Sequence, residues 1–366
     1  MRKIKVLYIL PSITQSNGVA SYVFNYLDKM DLDIFDVEIV ASNLRPSQKF
    51  IDFCNEKGIV LHFISNLKEK SIFQFKKDIK EFMKEHHDYD IVHCNVMTQG
   101  LFYLSYAKKY KIPVRILHSH ATKNADSMLK NIRNSIMSFL VKRKANYYFA
   151  CSKMAGDYLF KKKKYHIINN AIDMNKYSFN LELRQKIRNE LNLDDNFICG
   201  FVGRLVNQKN VYFLVDIIER LKELKNNAHL LIVGTGVLED SLKVYVKNKN
   251  LDSYVTFLGE RSDAKDLYNS FDCFLLPSIY EGLPVVGIEA QSMGLACYFS
   301  NTITEEVRIV RNTLMLPIDD PNVWANSINA SINGENIEMD NYSSFDINIS
   351  VKKLEELYKE IYKEKC

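Results

Sequence analysis

Short apolar runs alternate with longer amphipathic stretches along nearly the whole chain. The runs, rich in Val, Ile, Leu, Phe and Tyr, occupy residues 5–10, 37–40, 60–64, 91–95, 114–118, 147–150, 166–168, 197–202, 230–233, 255–258, 273–276 and 296–299. Segments of helical length lie between them, for example 19–30 and 72–86. Apolar strands that alternate with helices are typical of βα units in a parallel sheet. The pattern therefore predicts an α/β fold.

The patterning is weakest at residues 173–196, which are polar and favour a linker with one short helix. A chain of 366 residues is too long for one ordinary core. We therefore predict two Rossmann-like parallel-sheet domains, 1–172 and 173–345, that face each other across a cleft. In residues 346–366 the apolar side chains recur at helical spacing, which predicts one helix that packs back toward the first domain.

Composition excludes several classes of protein. With 47% hydrophobic and 25% charged residues, the chain is neither disordered nor fibrous. It starts like a signal peptide, but Pro11 ends the apolar run early, so a first buried strand is the better interpretation. No apolar run reaches the roughly 18 residues that a membrane-spanning helix needs. The seven cysteines show no Cys-x-x-Cys spacing, which favours a reducing cytoplasm over disulfides or structural zinc.

The net charge of +5 conceals a difference between the two halves. Residues 1–172 have 28 Lys and Arg against 15 Asp and Glu, whereas residues 173–366 have 21 against 29. This predicts an anionic partner for the first domain, with scattered solvated lysines as the alternative. Candidates are the lysine run 161–164 and the segment 130–144, which is either a helix on an anionic membrane or a core helix with a basic end. Nucleic acid is disfavoured, because no recognised module occurs.

The strongest local motif, at residues 277–290, reads PSIYEGLPVVGIEA. It follows a predicted strand, and because proline suits a first helical turn, a helix should begin near Pro284 or Val285. The backbone amides of residues 282–285 would then face the cleft and could hold phosphate or sugar oxygens. Glu281 before this helix and Glu289 within it could face one ligand.

A second motif, at residues 201–210, reads FVGRLVNQKN and also follows a strand. Arg204 and Lys209 are two cations beside a predicted helix start, where the helix dipole disfavours them unless they bind an anion. A diphosphate suits this pair, since Arg offers a planar fork and Lys a point charge. Negative charge builds on a leaving diphosphate as a sugar–phosphate bond breaks, so fixed cations would lower the barrier.

Together these segments resemble glycosyltransferase family 4, a retaining family with the two-Rossmann-domain architecture called GT-B. The resemblance rests on the Gly-Arg-x4-Lys loop, the Glu-Gly-Leu-Pro turn and two glutamates separated by seven residues. The segments LIVGTG at 231–236 and VTFLG at 255–259 resemble the family's intermediate strands and loops. IINNAID at 167–173 resembles its interdomain crossing, with Asn169 and Ala171 in place of the usual proline and glycine.

The resemblance implies a role for each matched position. Arg204 and Lys209 match the diphosphate-binding pair. Glu281 matches the glutamate beside the transferred sugar, and Glu289 the one that bonds the donor ribose. The hydroxyls of that sugar are surrounded by the backbone of Gly282, Leu283, Pro284 and Val285.

In the first domain, LHSH at 117–120 ends a strand, and His118 resembles the family's active-site histidine. His120 is the alternative. Similar enzymes usually have Gly-Gly before the first helix, where this chain has Ser16, Asn17 and Gly18. Because Asn tolerates a left-handed backbone, we expect Asn17 to keep the loop geometry, with Asn17 and Gly18 beside the donor phosphate.

No metal or other cofactor is expected, only a nucleotide-diphosphate sugar as co-substrate. Asp31 with Asp33, and Asp88 with Asp90, precede strands and are interpreted as solvated turns. The glycine pair in GTG at 234–236 lacks the third glycine of a dinucleotide fingerprint.

The sequence thus predicts a retaining glycosyltransferase that uses a nucleotide-diphosphate sugar, with UDP the expected nucleotide. Its acceptor would be a lipid-linked or other saccharide of a capsule or exopolysaccharide pathway, at the cytoplasmic face of the inner membrane. Residues 121–128 would help to select that acceptor. A nucleotide-sugar epimerase of the same fold and a non-catalytic donor-binding subunit of a synthase are the alternatives.

Overall fold

The chain folds into two compact units in a computed structural model that describes residues 2–14, 17–42, 46–65, 71–120, 128–311, 313–330 and 342–365. One unit comprises Met1–Ala171 and Asp346–Cys366, and the other comprises Ile172–Phe345. Residues 121–127 of the expected acceptor loop lie outside the described residues. No helix in the described ranges is long and apolar enough to cross a membrane.

The first unit is built on a parallel sheet. Its strands are β1 (Ile4–Ile9), β2 (Phe35–Ser42), β3 (Val60–Ile64), β4 (Ile91–Cys94), β5 (Val114–Ser119), β6 (Tyr147–Ala150) and β7 (His166–Ile167). Their order in the sheet is β3-β2-β1-β4-β5-β6-β7. Its helices are α1 (Gly18–Lys29), α2 (Gln48–Lys57), α3 (Ile72–Glu85), α4 (Gly100–Lys109), α5 (Met128–Lys142) and α6 (Lys153–Phe160), with the last helix of the chain described below.

The second unit repeats this architecture. Its helices are α7 (Leu181–Leu191), α8 (Val211–Leu224), α9 (Glu239–Asn248), α10 (Ala264–Leu267), α11 (Val285–Ser292) and α12 (Pro321–Ala330). Its strands are β8 (Phe197–Val202), β9 (Ala228–Val233), β10 (Val255–Gly259), β11 (Cys273–Leu276), β12 (Ala296–Ser300) and β13 (Leu314–Leu316). All pair in parallel, in the order β10-β9-β8-β11-β12-β13. The predicted α/β class with two parallel-sheet domains is confirmed.

The central strands β1 and β9 are almost wholly apolar because the side chains on both of their faces are buried or nearly so. In β1, Val6 and Tyr8 point into one core cluster of the first unit, whereas Leu7 and Ile9 point into another. Successive side chains of a strand alternate between faces, so a strand buried on both sides has no polar stripe. Burial of the whole of β9 follows the same rule.

The last helix, α13 (Ile347–Lys363), is part of the first unit. Its buried side chains include Val351, Leu354, Tyr358 and Ile361, which join the core cluster that also contains residues of α1. The Tyr358 hydroxyl lies 2.7 Å from that of Tyr8 in β1. The final segment therefore supplies apolar area and a buried polar contact to a sheet that the start of the chain forms.

One expected solvated turn is wrong. Asp31, Asp33 and Asp88 are exposed, but Asp90 is buried and its carboxylate accepts hydrogen bonds from Arg2 Nη2 at 2.6 Å and from the Lys5 backbone at 2.9 Å. Asp90 directly precedes β4 and thereby ties it to β1. A buried carboxylate is tolerated there because both of its oxygens are bonded.

Candidate active site

Three adjacent strands bring the first group of predicted residues together. β4 pairs with β1 on one side and with β5 on the other, so the loops that follow these strands meet at one edge of the sheet. A cavity of about 410 Å³ lies there within the first unit. Its polar lining includes Asn95, Thr98, Gln99, His118, Ser119 and His120. The volume falls in the range of small-molecule sites.

His118 lies near the end of β5, and its ring is buried in the cavity wall. Its Nδ1 is 2.9 Å from His93 Nε2, whereas its own Nε2 has no partner among the described residues. Burial, followed by the neighbouring His120 and His93, lowers the pKa of His118 well below its usual range. The ring is therefore neutral near pH 7 and can offer Nε2 to a ligand.

His120 lines the same cavity. Its ring stacks on that of His118 with the centroids 4.1 Å apart, and its Nε2 lies 2.8 Å from Asn95 Oδ1. Burial lowers the pKa of His120 to about 3. Both candidate histidines are thus brought together, but the Nε2 of His120 is engaged by Asn95 while that of His118 is not engaged by any described residue.

Asn17 and Gly18 begin α1 by a different mechanism from the one expected. Asn17 has φ −93° and ψ 104°, so the expectation of a left-handed backbone there is wrong. Its side chain caps the helix instead: Oδ1 accepts from the Val19 amide at 3.0 Å and Nδ2 donates to the Ser12 carbonyl at 3.0 Å. At Gly18 a Cβ would meet no atom within 4 Å, so this first turn is uncrowded.

In the second unit, the loops after β8 and β9 lie backbone to backbone. Gly203 and Leu205 each donate a 2.9 Å hydrogen bond to the chain that leaves β9. A Cβ at Gly234 would lie 2.1 Å from the Gly203 carbonyl oxygen, and one at Gly236 would lie 2.3 Å from that of Leu205. Glycine is required at both positions because backbone atoms cannot give way. Gly234 and Gly236 thus hold the backbone of the β8 loop in place on either side of Arg204.

The ends of the paired strands β8 and β11 bring Lys209 and Glu281 into contact. Lys209 Nζ lies 2.7 Å from Glu281 Oε1, and the two side chains are 12% and 11% exposed. Gln208 braces the pair, since its Nε2 donates to the Tyr280 carbonyl at 2.9 Å and lies 3.3 Å from Glu281 Oε2. A partly buried cation next to a carboxylate is an arrangement that can bind an anion and a hydroxyl side by side.

Arg204 differs from Lys209 in its surroundings. Its side chain is exposed, and within the described ranges no hydrogen bond or ion pair engages its guanidinium. The two cations therefore differ in exposure and in their hydrogen-bond partners. One is held by a carboxylate, and the other projects from a rigid loop.

The turn before α11 places the remaining predicted residues. α11 begins at Val285, as predicted, and Gly282, Leu283 and Pro284 are buried directly before it. Within the helix, Glu289 accepts hydrogen bonds through both oxygens, from the hydroxyls of two tyrosines. These are Tyr177, at 2.7 Å, and Tyr268, at 2.8 Å. Two phenol donors fix the position of the carboxylate.

Several of these partners were missed by the sequence interpretation. Gln208 stood inside the motif at 201–210, and Asn95 ended a predicted strand, so position alone could have found both. Tyr177 and Tyr268 carried no such signal, because each meets Glu289 only through the tertiary fold. The same holds for His93, which is central in the apolar run that became β4.

Comparison with known proteins identifies the family of the chain. Residues 16–176 match the model of Glycosyltransferase Family 4, and residues 196–333 match that of Glycosyl transferases group 1. EpsF of Bacillus subtilis, which is named as a glycosyltransferase, is 28% identical over 337 residues, covering 88% of this chain and 86% of that protein. The Escherichia coli UDP-Gal:alpha-D-GlcNAc-diphosphoundecaprenol alpha-1,3-galactosyltransferase is 27% identical over 321 residues, covering 82% of this chain and 80% of its own.

The fold has a close structural match as well. The crystal structure of Anabaena HepE in complex with UDP and glucose has a TM-score of 0.77 at 18% identity, covering 99% of this chain and 98% of that chain. The two family models and the fold together define a glycosyltransferase of the GT-B class. The chain belongs to glycosyltransferase family 4.

Proposed function

We propose that this protein transfers a hexose-type sugar from a UDP-linked donor to a lipid-linked saccharide in capsule or exopolysaccharide synthesis, with retention of the anomeric configuration. The observation that carries the proposal is the Lys209–Glu281 ion pair at the carboxyl end of the second sheet. Lys209 follows β8, as Arg204 does, and Glu281 follows the neighbouring strand β11. In this reaction the bond from the anomeric carbon to the diphosphate oxygen breaks. A glycosidic bond to an acceptor hydroxyl forms, and the proton of that hydroxyl passes to the departing diphosphate.

The donor proposal is supported by charge. As the sugar–phosphate bond breaks, the departing diphosphate gains negative charge, and a cation already in place stabilises it without reorganisation. Lys209 is held in place by Glu281, and Arg204 has its guanidinium uncommitted to any described residue. The E. coli relative is named for a UDP-linked donor, which favours UDP here.

We assign the remaining donor contacts from the motif positions within each unit. In this proposal Glu281 accepts a hydrogen bond from a hydroxyl of the transferred sugar, and the backbone of residues 282–285 surrounds that sugar. Glu289, held by its two tyrosine donors, accepts a hydrogen bond from the ribose. His118 orients a sugar hydroxyl through Nε2, beside the turn at Asn17 and Gly18. No metal is needed, because the two cations supply the charge.

The acceptor proposal is supported by the surface of α5. Ile136, Phe139 and Leu140 are 57%, 52% and 37% exposed and recur at helical spacing with Arg143, whose guanidinium carbon lies 4.2 Å over the Phe139 ring centre. An apolar stripe beside basic side chains suits an anionic membrane surface. The E. coli relative is named for a diphosphoundecaprenol acceptor. We therefore propose peripheral binding at the cytoplasmic face of the inner membrane, with the lysine run 161–164 adding charge.

A thermal-shift screen tests the donor. UDP and UDP-sugars should raise the unfolding midpoint, since a ligand bound only by the folded state stabilises it. The best donor is then incubated with undecaprenyl-diphosphate saccharides, with and without a metal chelator, and the anomer of the product is read by NMR. No stabilisation by any nucleoside diphosphate would contradict the proposal. Release of free or isomerised sugar without an acceptor would favour an epimerase instead.

Vesicle sedimentation tests the membrane surface. Binding to anionic phosphatidylglycerol vesicles should fall in the Ile136→Ser/Phe139→Ser variant, whereas neutral vesicles should bind neither protein. The matched control is Val237→Ser/Val244→Ser, which removes two exposed apolar side chains from the second unit. Equal loss in both double variants would mean that the α5 stripe has no special role.

A further inference from the structure

A chain of buried polar side chains runs from the last helix to the cavity. The Tyr8 hydroxyl lies 2.7 Å from that of Tyr358, which in turn contacts His93 Nδ1. His93 Nε2 then lies 2.9 Å from His118 Nδ1. None of the four side chains is more than 3% exposed, so water cannot serve as an alternative partner along this chain. In each contact, one of the two side chains must therefore donate the hydrogen bond and the other must accept it.

The number of protons in this chain is fixed. Burial lowers the pKa of His93 and of His118 well below the usual range, so each ring is neutral and has one N–H. Burial also raises the pKa of both tyrosines, so each hydroxyl keeps its proton. Four groups with one proton each, joined by three contacts, can be oriented in three ways: all donors point toward Tyr8, all point toward His118, or Tyr358 accepts from both Tyr8 and His93 while its own proton lies outside the chain.

The three orientations differ in which donor is left without an acceptor in the chain. If Tyr358 accepts from both neighbours, its own O–H is a buried donor with no other acceptor among the described residues. If the donors point toward Tyr8, its O–H lies in the core, and Tyr358 is the one described residue with which its oxygen bonds. If they point toward His118, the last donor is its Nε2–H, which lies in the cavity wall. A buried donor without an acceptor is costly, and only in the cavity can a ligand oxygen supply the acceptor. The orientation in which all donors point toward His118 is therefore favoured.

We propose that Tyr358 and His93 are positioning residues that hold His118 in the tautomer with its proton on Nε2. Tyr8 donates to Tyr358, Tyr358 to His93 Nδ1, and His93 Nε2 to His118 Nδ1. The cavity then offers its ligand a directed hydrogen-bond donor, which selects an oxygen acceptor such as a sugar hydroxyl. Only the identity of this ligand rests on the proposed function; the tautomer does not.

The tautomer is measured directly by NMR. Full-length protein labelled with ¹⁵N-histidine is examined at neutral pH by long-range ¹H–¹⁵N correlation, and the His118 resonances are assigned with His118→Gln. We expect a protonated Nε2 and an unprotonated Nδ1 for His118 in the unmodified protein. A protonated Nδ1 would overturn the proposal without the need for any other variant.

Two tyrosine variants separate positioning from packing. Tyr358→Phe removes the donor to His93 and should yield a mixture of His118 tautomers. Tyr8→Phe removes a hydroxyl of equal burial one step earlier, but Tyr358 can still donate to His93, so the tautomer should not change. A His118 tautomer that is identical in both variants and in the unmodified protein would also overturn the proposal.

Kinetics give the matching functional readout. Glycosyl transfer by Tyr358→Phe should fall about tenfold in kcat, the effect of one lost hydrogen bond, while Tyr8→Phe stays close to the unmodified protein. Equal losses in both variants would indicate packing and count against positioning. If no glycosyl transfer is found with any donor, the proposed function fails, and the NMR result still decides the tautomer.

Discussion

Lys209 Nζ lies 2.7 Å from Glu281 Oε1, with the lysine only 12% and the glutamate only 11% exposed. The cation proposed for the diphosphate and the carboxylate proposed for the sugar are thus one electrostatic unit. Removing one partner leaves the other charge in a poorly solvated place, which costs about 3–5 kcal/mol for a buried pair. A single substitution at either position therefore changes stability as well as turnover.

A double substitution separates these effects. Lys209→Met alone should lower stability by up to about 3 kcal/mol and reduce turnover by at least about a hundredfold, as expected for loss of a charge-stabilising group. Adding Glu281→Gln removes the stranded carboxylate, so most of the stability should return while transfer remains low. Urea unfolding and initial-rate assays on the same preparations measure both.

The control is Lys249→Met. Lys249 also bonds a carboxylate, Glu219 at 2.6 Å, but it lies at the end of α9 and outside the proposed site. Turnover should be unchanged in this variant. If Lys209→Met and Lys249→Met lose the same fraction of turnover, or if the double substitution restores transfer, Lys209 has no role in the reaction.

Substitution of Arg204, unlike that of Lys209, should weaken donor binding without changing stability. Because its guanidinium is exposed and bonds no described residue, Arg204→Ala should leave the unfolding midpoint within about a degree of the unmodified protein. Loss of a charge-assisted contact of about 1.5–3 kcal/mol should weaken UDP binding by roughly tenfold to a hundredfold. Isothermal titration calorimetry measures this. Arg261→Ala is the control, since Arg261 pairs with Asp263 on an exposed turn, and equal affinities in the two variants would exclude Arg204 from the site.

Most of the architecture could be predicted because strands that are buried on both faces of a parallel sheet appear in the sequence as short, mainly apolar runs. Twelve of the observed strands match predicted runs, with ends that differ by a few residues. The strand that was missed, β13, has only three residues and is partly exposed, so its apolar signal is weak. The site motifs were found because each follows such a run, where parallel strands place their functional loops.

What could not be predicted are the partners of polar groups far apart in sequence. The stretch 173–196 was interpreted mainly as a linker, yet α7 docks through Arg184 and Arg188, which contact the two carboxylate oxygens of Asp272 at 2.5 and 2.6 Å. Likewise, the buried Gln291 amide donates to the carbonyl of Val307 at 2.7 Å. No local pattern encodes these contacts, because the tertiary fold alone brings their members together.

The glycine at 236 provides a prediction about the Arg204 loop. A Cβ there would lie 2.3 Å from the Leu205 carbonyl oxygen, so Gly236→Ala must push the β8 loop away. We expect a loss of about 1–3 kcal/mol of stability together with weaker UDP binding, because the backbone beside Arg204 moves. Gly18→Ala is the stability control, since its Cβ would meet nothing within 4 Å. Unchanged stability and UDP affinity in Gly236→Ala would show that the loop can yield without consequence.

The buried histidine cluster predicts acid lability. His93, His118 and His120 all have folded-state pKa values depressed by burial, that of His120 to about 3, whereas an unfolded histidine titrates near 6.5. As pH falls below about 6.5, the unfolded chain takes up protons that the folded chain does not, so stability decreases. The loss continues until the folded pKa is reached. Each histidine contributes a slope of up to about 1.4 kcal/mol per pH unit.

Urea unfolding at several pH values between about 4 and 8 measures this slope. His120→Asn should reduce the slope by the contribution of one histidine. His87→Asn is the control, because that ring is exposed and solvent reaches it in the folded and the unfolded chain alike. Since a slope is compared, any uniform destabilisation by the substitutions does not affect the result. A slope that is the same in His120→Asn and in the unmodified protein would mean that His120 takes up its proton in the folded state, and the neutral, stacked pair of His118 and His120 would have to be abandoned.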